Sequence, residues 1–170
     1  MTGMDAAEIQ RTVQRMAQEL RTQLGDALPA AVMVGIQTGG YWIAERLHQE
    51  LGLREPLGSL STRLYRDDFN HIGLHPKILP SSLEAPIEGR CVILVDDVLH
   101  TGRTIRAAMN ELFDYGRPAA IRLAVLVDRG GHELPVAADV TGVKIALASG
   151  QHAKLSGPEP LRLDILESTA

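Results

Sequence analysis

Between Ala6 and Leu24 the apolar residues Ile9, Val13, Met16, Leu20 and Leu24 recur three and four positions apart, with Arg, Gln and Glu in the gaps. On a helix that spacing gathers them on one face, so an amphipathic helix is expected over 6–24, with Pro29 just beyond it. Ala31-Val32-Met33-Val34-Gly35-Ile36 is then almost wholly apolar, as a strand covered on both faces should be. Gln37-Thr38-Gly39-Gly40 is a tight turn. Helical spacing returns at Ile43, Ala44, Leu47 and Leu51 and stops at Gly52, and residues 57–65 alternate as a strand does. Val92-Ile93-Leu94-Val95 is the strongest buried-strand signal. Ile105, Ala108, Met109 and Leu112 share one face of a helix expected over 104–115, ahead of Gly116, and residues 121–127 make a further strand. Strands alternating with helices predict an α/β fold: an open, mostly parallel twisted sheet flanked by helices.

Residues 66–89, which start in the charged cluster Tyr65-Arg66-Asp67-Asp68 immediately after a strand, break this rhythm with Gly73, Pro76, Pro80 and Pro86. A stretch of that length without periodicity is expected to be a lid, the alternatives being a plain solvated loop or a hairpin. Composition adds bounds. At 170 residues, with 45% hydrophobic and 22% charged residues, the chain is expected to be a single domain, 1–170. Seventeen Lys and Arg against 21 Asp and Glu leave a net charge of −4, so no global basic field grips nucleic acid. A single cysteine, Cys91, excludes an internal disulfide, and the absence of a basic-then-apolar leader or a long apolar run points to a cytoplasmic protein that crosses no membrane.

The chemistry concentrates in Asp96-Asp97-Val98-Leu99-His100-Thr101-Gly102-Arg103-Thr104, which follows the apolar strand and opens a helix. Ligands collect at the carboxyl ends of strands in such sheets, and a Gly/Thr turn entering a helix offers backbone N–H groups to a phosphate. The two carboxylates would repel that phosphate, so they should face ribose hydroxyls or Mg²⁺; a phosphorylated sugar suits both halves. The competing structural reading is a capped helix with Asp97 and Thr101 as turn residues. A P-loop NTPase is excluded, because no G-x-x-x-x-G-K-[ST] occurs. A receiver domain does not suit an acid pair placed this late in the chain.

Residues 92–104 resemble the phosphoribosyl pyrophosphate (PRPP) motif of type I phosphoribosyltransferases. The flanks Tyr65-Arg66-Asp67-Asp68, Arg103-Thr104-Ile105-Arg106-Ala107-Ala108, Gly116-Arg117-Pro118 and Leu126-Val127-Asp128-Arg129-Gly130 resemble, more narrowly, the pyrimidine operon regulator (PyrR) family. The resemblance implies a type I phosphoribosyltransferase fold with a lid at about 66–89 and a small hood at about 128–147. It also implies uracil phosphoribosyltransferase activity: uracil and Mg²⁺-bound PRPP give UMP and pyrophosphate. Asp96 and Asp97 would hold the ribose hydroxyls as catalytic residues, meeting Mg²⁺ only indirectly through PRPP. Thr101, Gly102, Arg103 and Thr104 would hold the 5′-phosphate, and Thr38, Gly39 and Gly40 the pyrophosphate. Arg66 would act from the lid, and Asp128 and Arg129 would begin the hood over the base. A homo-oligomer, dimer or higher, is implied too.

The chain departs from the family in two places. Gly39 stands where RNA-binding members carry Arg. Gly131-His132, Ala137 and Val143 replace His-Arg, Arg and Lys at positions associated with mRNA. Phosphate contacts supply most nonspecific RNA affinity, so RNA binding is expected to be weakened. Two other functions stay open: a non-catalytic regulator sensing UMP or PRPP, and a transferase for another base such as hypoxanthine or xanthine. The pair His71 and His75 lacks a companion ligand for a metal.

Overall fold

The computed structural model describes residues 3–62 and 80–169. A two-residue strand, β1 (Gly3–Met4), leads into α1 (Ala6–Leu24). A capping box starts this helix: Glu8 N–H donates to Asp5 Oδ1 and Asp5 N–H to Glu8 Oε2, each at 2.8 Å. Its buried stripe is the one the spacing predicts, Ile9, Val13, Met16 and Leu20. A 3₁₀ turn (Gly25–Ala30) connects it to β2 (Val32–Ile36), followed by α2 (Gly39–Leu51) and β3 (Gly58–Leu60). Then come β4 (Cys91–Leu99), α3 (Arg103–Tyr115), β5 (Ala120–Asp128), β6 (Val140–Lys144), β7 (Gln151–Ser156) and β8 (Arg162–Glu167).

The five strands β3-β2-β4-β5-β6 lie side by side in that order, every neighbouring pair parallel. Successive strand residues point to opposite faces, which divides the apolar interior in two. Met33, Ile93, Val95, Ala124 and Leu126 face α1 and α2. Val32, Val34, Leu94, Leu123 and Val125 face α3. At the centre lies β4, flanked by β2 and β5, so whatever its carboxyl end carries is held by the stiffest part of the sheet.

Three expectations change. The run of Val92 to Val95 is only the first half of β4; Asp96 and Asp97 lie inside the strand, because pairing with β5 continues through Leu99↔Asp128. A lid reaching residue 89 does not fit: Ser59 and Ser82 exchange backbone hydrogen bonds, and Ala85 and Ile87 are buried against the α3 face. Residues 66–79, including Arg66, His71 and His75, lie outside the described residues. Within the span expected as a small hood, about 128–147, β6 belongs to the main sheet, and a small second sheet lies elsewhere in the chain. It is the antiparallel set β1-β8-β7, and its Met4, Leu155, Leu161 and Leu163 join the core shared with α1 and α2. The hairpin joining β7 to β8 docks on α2: Arg46 Nη2 donates to Pro158 O at 3.0 Å and to Glu159 Oε1 at 2.8 Å. Trp42 faces Gly157 there, so this aromatic packs within the chain. Among the described residues no helix is long and apolar enough to cross a membrane.

Candidate active site

At the carboxyl end of β4, Asp96 and Asp97 are only 1% and 7% exposed. Buried carboxylates need partners. Asp97 N–H donates to Asp96 Oδ1 and Val98 N–H to Asp97 Oδ1, both at 2.9 Å. Thr38 follows β2 as the N-cap of α2, and Gly39 and Gly40, the first two residues of that helix, lie against the acid pair. A Cβ on Gly39 would stand 2.8 Å from Asp97 Cγ and closer still to its Oδ2. One on Gly40 would stand 2.8 Å from both Asp96 Cα and Val95 O. Only residues without side chains permit this approach, which sets the start of α2 directly against the two acids. The loop is pinned by Gln37 N–H donating to Leu60 O at 2.8 Å, and the Gln37–Thr38 peptide bond is cis.

The second half of the site begins four residues past the acids, at Thr101. Thr101 and Gly102 are buried, and Gly102, with φ +94°, turns the chain into α3. The first N–H groups of a helix lack intrahelical partners and carry the positive end of its dipole. Arg103 N–H meets Thr101 Oγ1 at 3.2 Å. The Arg103 side chain does not turn into the cradle; it is half-exposed and paired with Glu133 Oε2 at 2.8 Å. The structure thus brings Thr101 to Thr104 together at the helix start and directs the Arg103 guanidinium outward.

The loop after β5 closes over this end. Asp128 Oδ1 accepts from Gly130 N–H and His132 Nε2, each at 2.9 Å. Burial opposes ionisation of Asp128, but the Gly130 and His132 hydrogen bonds, the His132 charge and nearby Lys144 outweigh it and hold the carboxyl below its usual value. Arg129 reaches the small sheet, Nη2 donating to Gln151 O at 3.3 Å. Glu133, which sequence patterns do not single out, emerges as the partner of Arg103; its signal is purely tertiary. Burial pushes the Cys91 thiol up, against the lowering influence of Arg122, which disfavours the thiolate.

A match to the phosphoribosyl transferase domain spans residues 5–155. Over 154 residues the chain is 53% identical to the "Bifunctional protein PyrR" of Nitrosococcus oceani, covering 89% of this chain and 83% of that protein. The chain belongs to the PyrR family. A second PyrR, from Pseudomonas aeruginosa, is 52% identical over 151 residues, covering 88% of this chain and 89% of that protein. The PyrR fold also superposes on a hypoxanthine-guanine phosphoribosyltransferase from Bacillus anthracis with a TM-score of 0.70, at 15% identity and 98% coverage of each chain. That likeness is one of fold: a parallel five-stranded sheet with helices on both faces. This PyrR-family chain therefore carries a phosphoribosyltransferase domain, and its acid pair, glycine loop and helix-end turn all fall within the matched span.

Proposed function

We propose that this chain transfers ribose 5-phosphate from PRPP to uracil, forming UMP and pyrophosphate, and that it couples this activity to pyrimidine regulation. The supporting observation is the buried acid pair of β4, held between a glycine loop on one side and a helix-end cradle on the other. In the reaction a bond forms between a uracil ring nitrogen and ribose C1, the bond from C1 to pyrophosphate breaks, and the nitrogen loses its proton. Positive charge grows on the ribose as the bond to pyrophosphate breaks, and the new bond to nitrogen discharges it. Asp96 and Asp97 accept hydrogen bonds from the ribose hydroxyls, and Asp97, beside the loop, stabilises the cationic ring. Backbone groups at Thr38 to Gly40 receive the departing anion, and Thr101 to Thr104 anchor the 5′-phosphate. The Asp128 loop covers the base.

Two hard carboxylates, with no cluster of three or more His, Cys, Asp or Glu among the described residues, fit Mg²⁺ carried in by substrate oxygens better than an all-protein metal cage. When bound, the ion neutralises charge on the leaving pyrophosphate. Regulation in this reading depends little on RNA. Gly131 and Ala137 are exposed without charge, and the exposed His132 turns its Nε2 inward to Asp128.

The test is product formation from PRPP and Mg²⁺ with uracil beside hypoxanthine, xanthine, guanine and orotate, repeated with Asp97→Asn. Turnover with uracil alone is expected, falling about 10²–10³-fold in the variant while UMP still binds. Turnover with a purine instead would replace the acceptor. Binding of UMP or PRPP without any turnover would make the protein a nucleotide sensor.

A further inference from the structure

The loop that follows β5 is fastened to the phosphate cradle more tightly than a cover requires. Arg129 N–H donates to Leu99 O at 3.1 Å, and Glu133 and Leu134 N–H both donate to Thr101 O, at 2.9 and 3.1 Å. Between those anchors stands His100. Its Nδ1 lies 3.0 Å from Gly130 O; a carbonyl only accepts, so Nδ1 carries the proton and donates. The imidazole also occupies the space beside Gly131. A Cβ there would lie 2.9 Å from His100 Cε1 and 3.2 Å from Nδ1, and φ of +71° already suits glycine. Gly131, one of the departures from the family pattern, is thus the residue that makes room for the ring.

We propose that His100 is a positioning residue that couples the phosphate cradle to the base-side loop. The proposal rests on the reading of Thr101 to Thr104 as the 5′-phosphate site. An anion at the start of α3 draws in the N–H groups of the cradle and fixes the backbone at Thr101. His100 is the preceding residue, so its ring is fixed with it, and the bond to Gly130 O then steadies Gly130 and Gly131. Phosphate bound first prepares the loop for the acceptor.

The probe is ribose 5-phosphate added to the full chain, followed by residue-resolved amide hydrogen exchange. The Gly130 amide is bonded to Asp128 and reports opening of the segment the imidazole holds. Glu133 and Leu134, bonded directly to Thr101 O, serve as controls. In the wild type the ligand should slow exchange at the start of α3 and, by about fivefold or more, at Gly130. His100→Ala should keep the slowing at α3, Glu133 and Leu134 and lose it at Gly130. His100→Asn, which retains a donor at the δ position, should restore it. The same linkage should appear as tighter uracil binding in the presence of ribose 5-phosphate, about fivefold in the wild type and absent in His100→Ala. Equal protection of Gly130 in wild type and His100→Ala overturns the proposal. No protection at the start of α3 in the wild type overturns the phosphate site and the coupling together. Coupled exchange without any uracil binding supports the coupling and overturns uracil as acceptor.

Discussion

Helix α2 enters against β4 with no room between them, and Gly40→Ala measures how much that closeness matters. The added Cβ would stand 2.8 Å from Asp96 Cα and Val95 O, backbone atoms of the central strand that cannot give way. Reaching an ordinary contact of 3.4 Å means the first turn of α2 retreats by about 0.6 Å. Overpacking of this kind costs about 1–3 kcal/mol. Alanine recovers roughly 1 kcal/mol over glycine in a helix. The net destabilisation is therefore about 0–2 kcal/mol, a melting temperature lower by up to about 8 °C for a domain of this size. The loss of activity should be larger than that suggests, because a misplacement of 1 Å costs about a hundredfold in rate. We expect kcat/KM for UMP formation to fall between tenfold and about a hundredfold. Gly52→Ala is the contrasting variant: φ is +60° at the end of α2, with nothing within 4 Å of the new methyl. It should cost about 1 kcal/mol of stability and leave kcat/KM unchanged. Wild-type kcat/KM in Gly40→Ala would refute the argument that close approach of the loop to the acid pair sets the geometry.

Two further outcomes follow from the packing and the charges. Leu94, fully buried in β4 on the α3 side, should lose about 2–5 kcal/mol on Leu94→Ala, read from the midpoint of urea unfolding; a loss below 1 kcal/mol would show that the site collapses around the cavity. Asp128, with its carboxyl held below the usual value, contributes stability that is present above the unfolded-state value of about 3.9 and disappears as pH falls through the lower folded-state value. Asp128→Asn should flatten the acid limb of a plot of melting temperature against pH, and an unchanged limb would deny Asp128 a part in it.

Most of the main sheet was legible because its helices and the strands β2, β4 and β5 each repeat a local pattern, whereas β6 had no expected counterpart. The stripe of α1, the apolar runs of β2 and β4 and the glycine at the end of α2 all carry periodicity or a stop signal that needs no partner to be read. The acid pair and the helix-end turn were legible for a chemical reason: carboxylates and a Gly/Thr turn at a strand end have few structural uses. The small sheet was not. In Gln151–Ser156 only Leu155 is buried, so alternation is missing, and Gly3–Met4 is too short to show any. Asp96 and Asp97 read as the end of a strand because Asp disfavours β structure, yet tertiary pairing with β5 carries the strand to Leu99. Contacts such as His100 with Gly130, and Arg103 with Glu133, join residues 30 positions apart and leave no mark in either neighbourhood.

The strand order sets the order in which the two halves of the site come together as the chain folds. Only about 20 residues, most of them in α3, separate β4 from β5, whereas about 54 separate β2 from β4. By loop-closure entropy the longer join costs about 0.9 kcal/mol more, with α2 inside it as α3 is inside the shorter one. The unit of β4, α3 and β5 closes the shorter loop, and it carries both acids and the turn proposed to anchor the 5′-phosphate. Joining the glycines at the start of α2 to that unit takes the longer connection. Folding that follows loop length would restore the proposed sugar-phosphate site ahead of turnover, and a refolding time course that follows ribose 5-phosphate binding beside activity checks this.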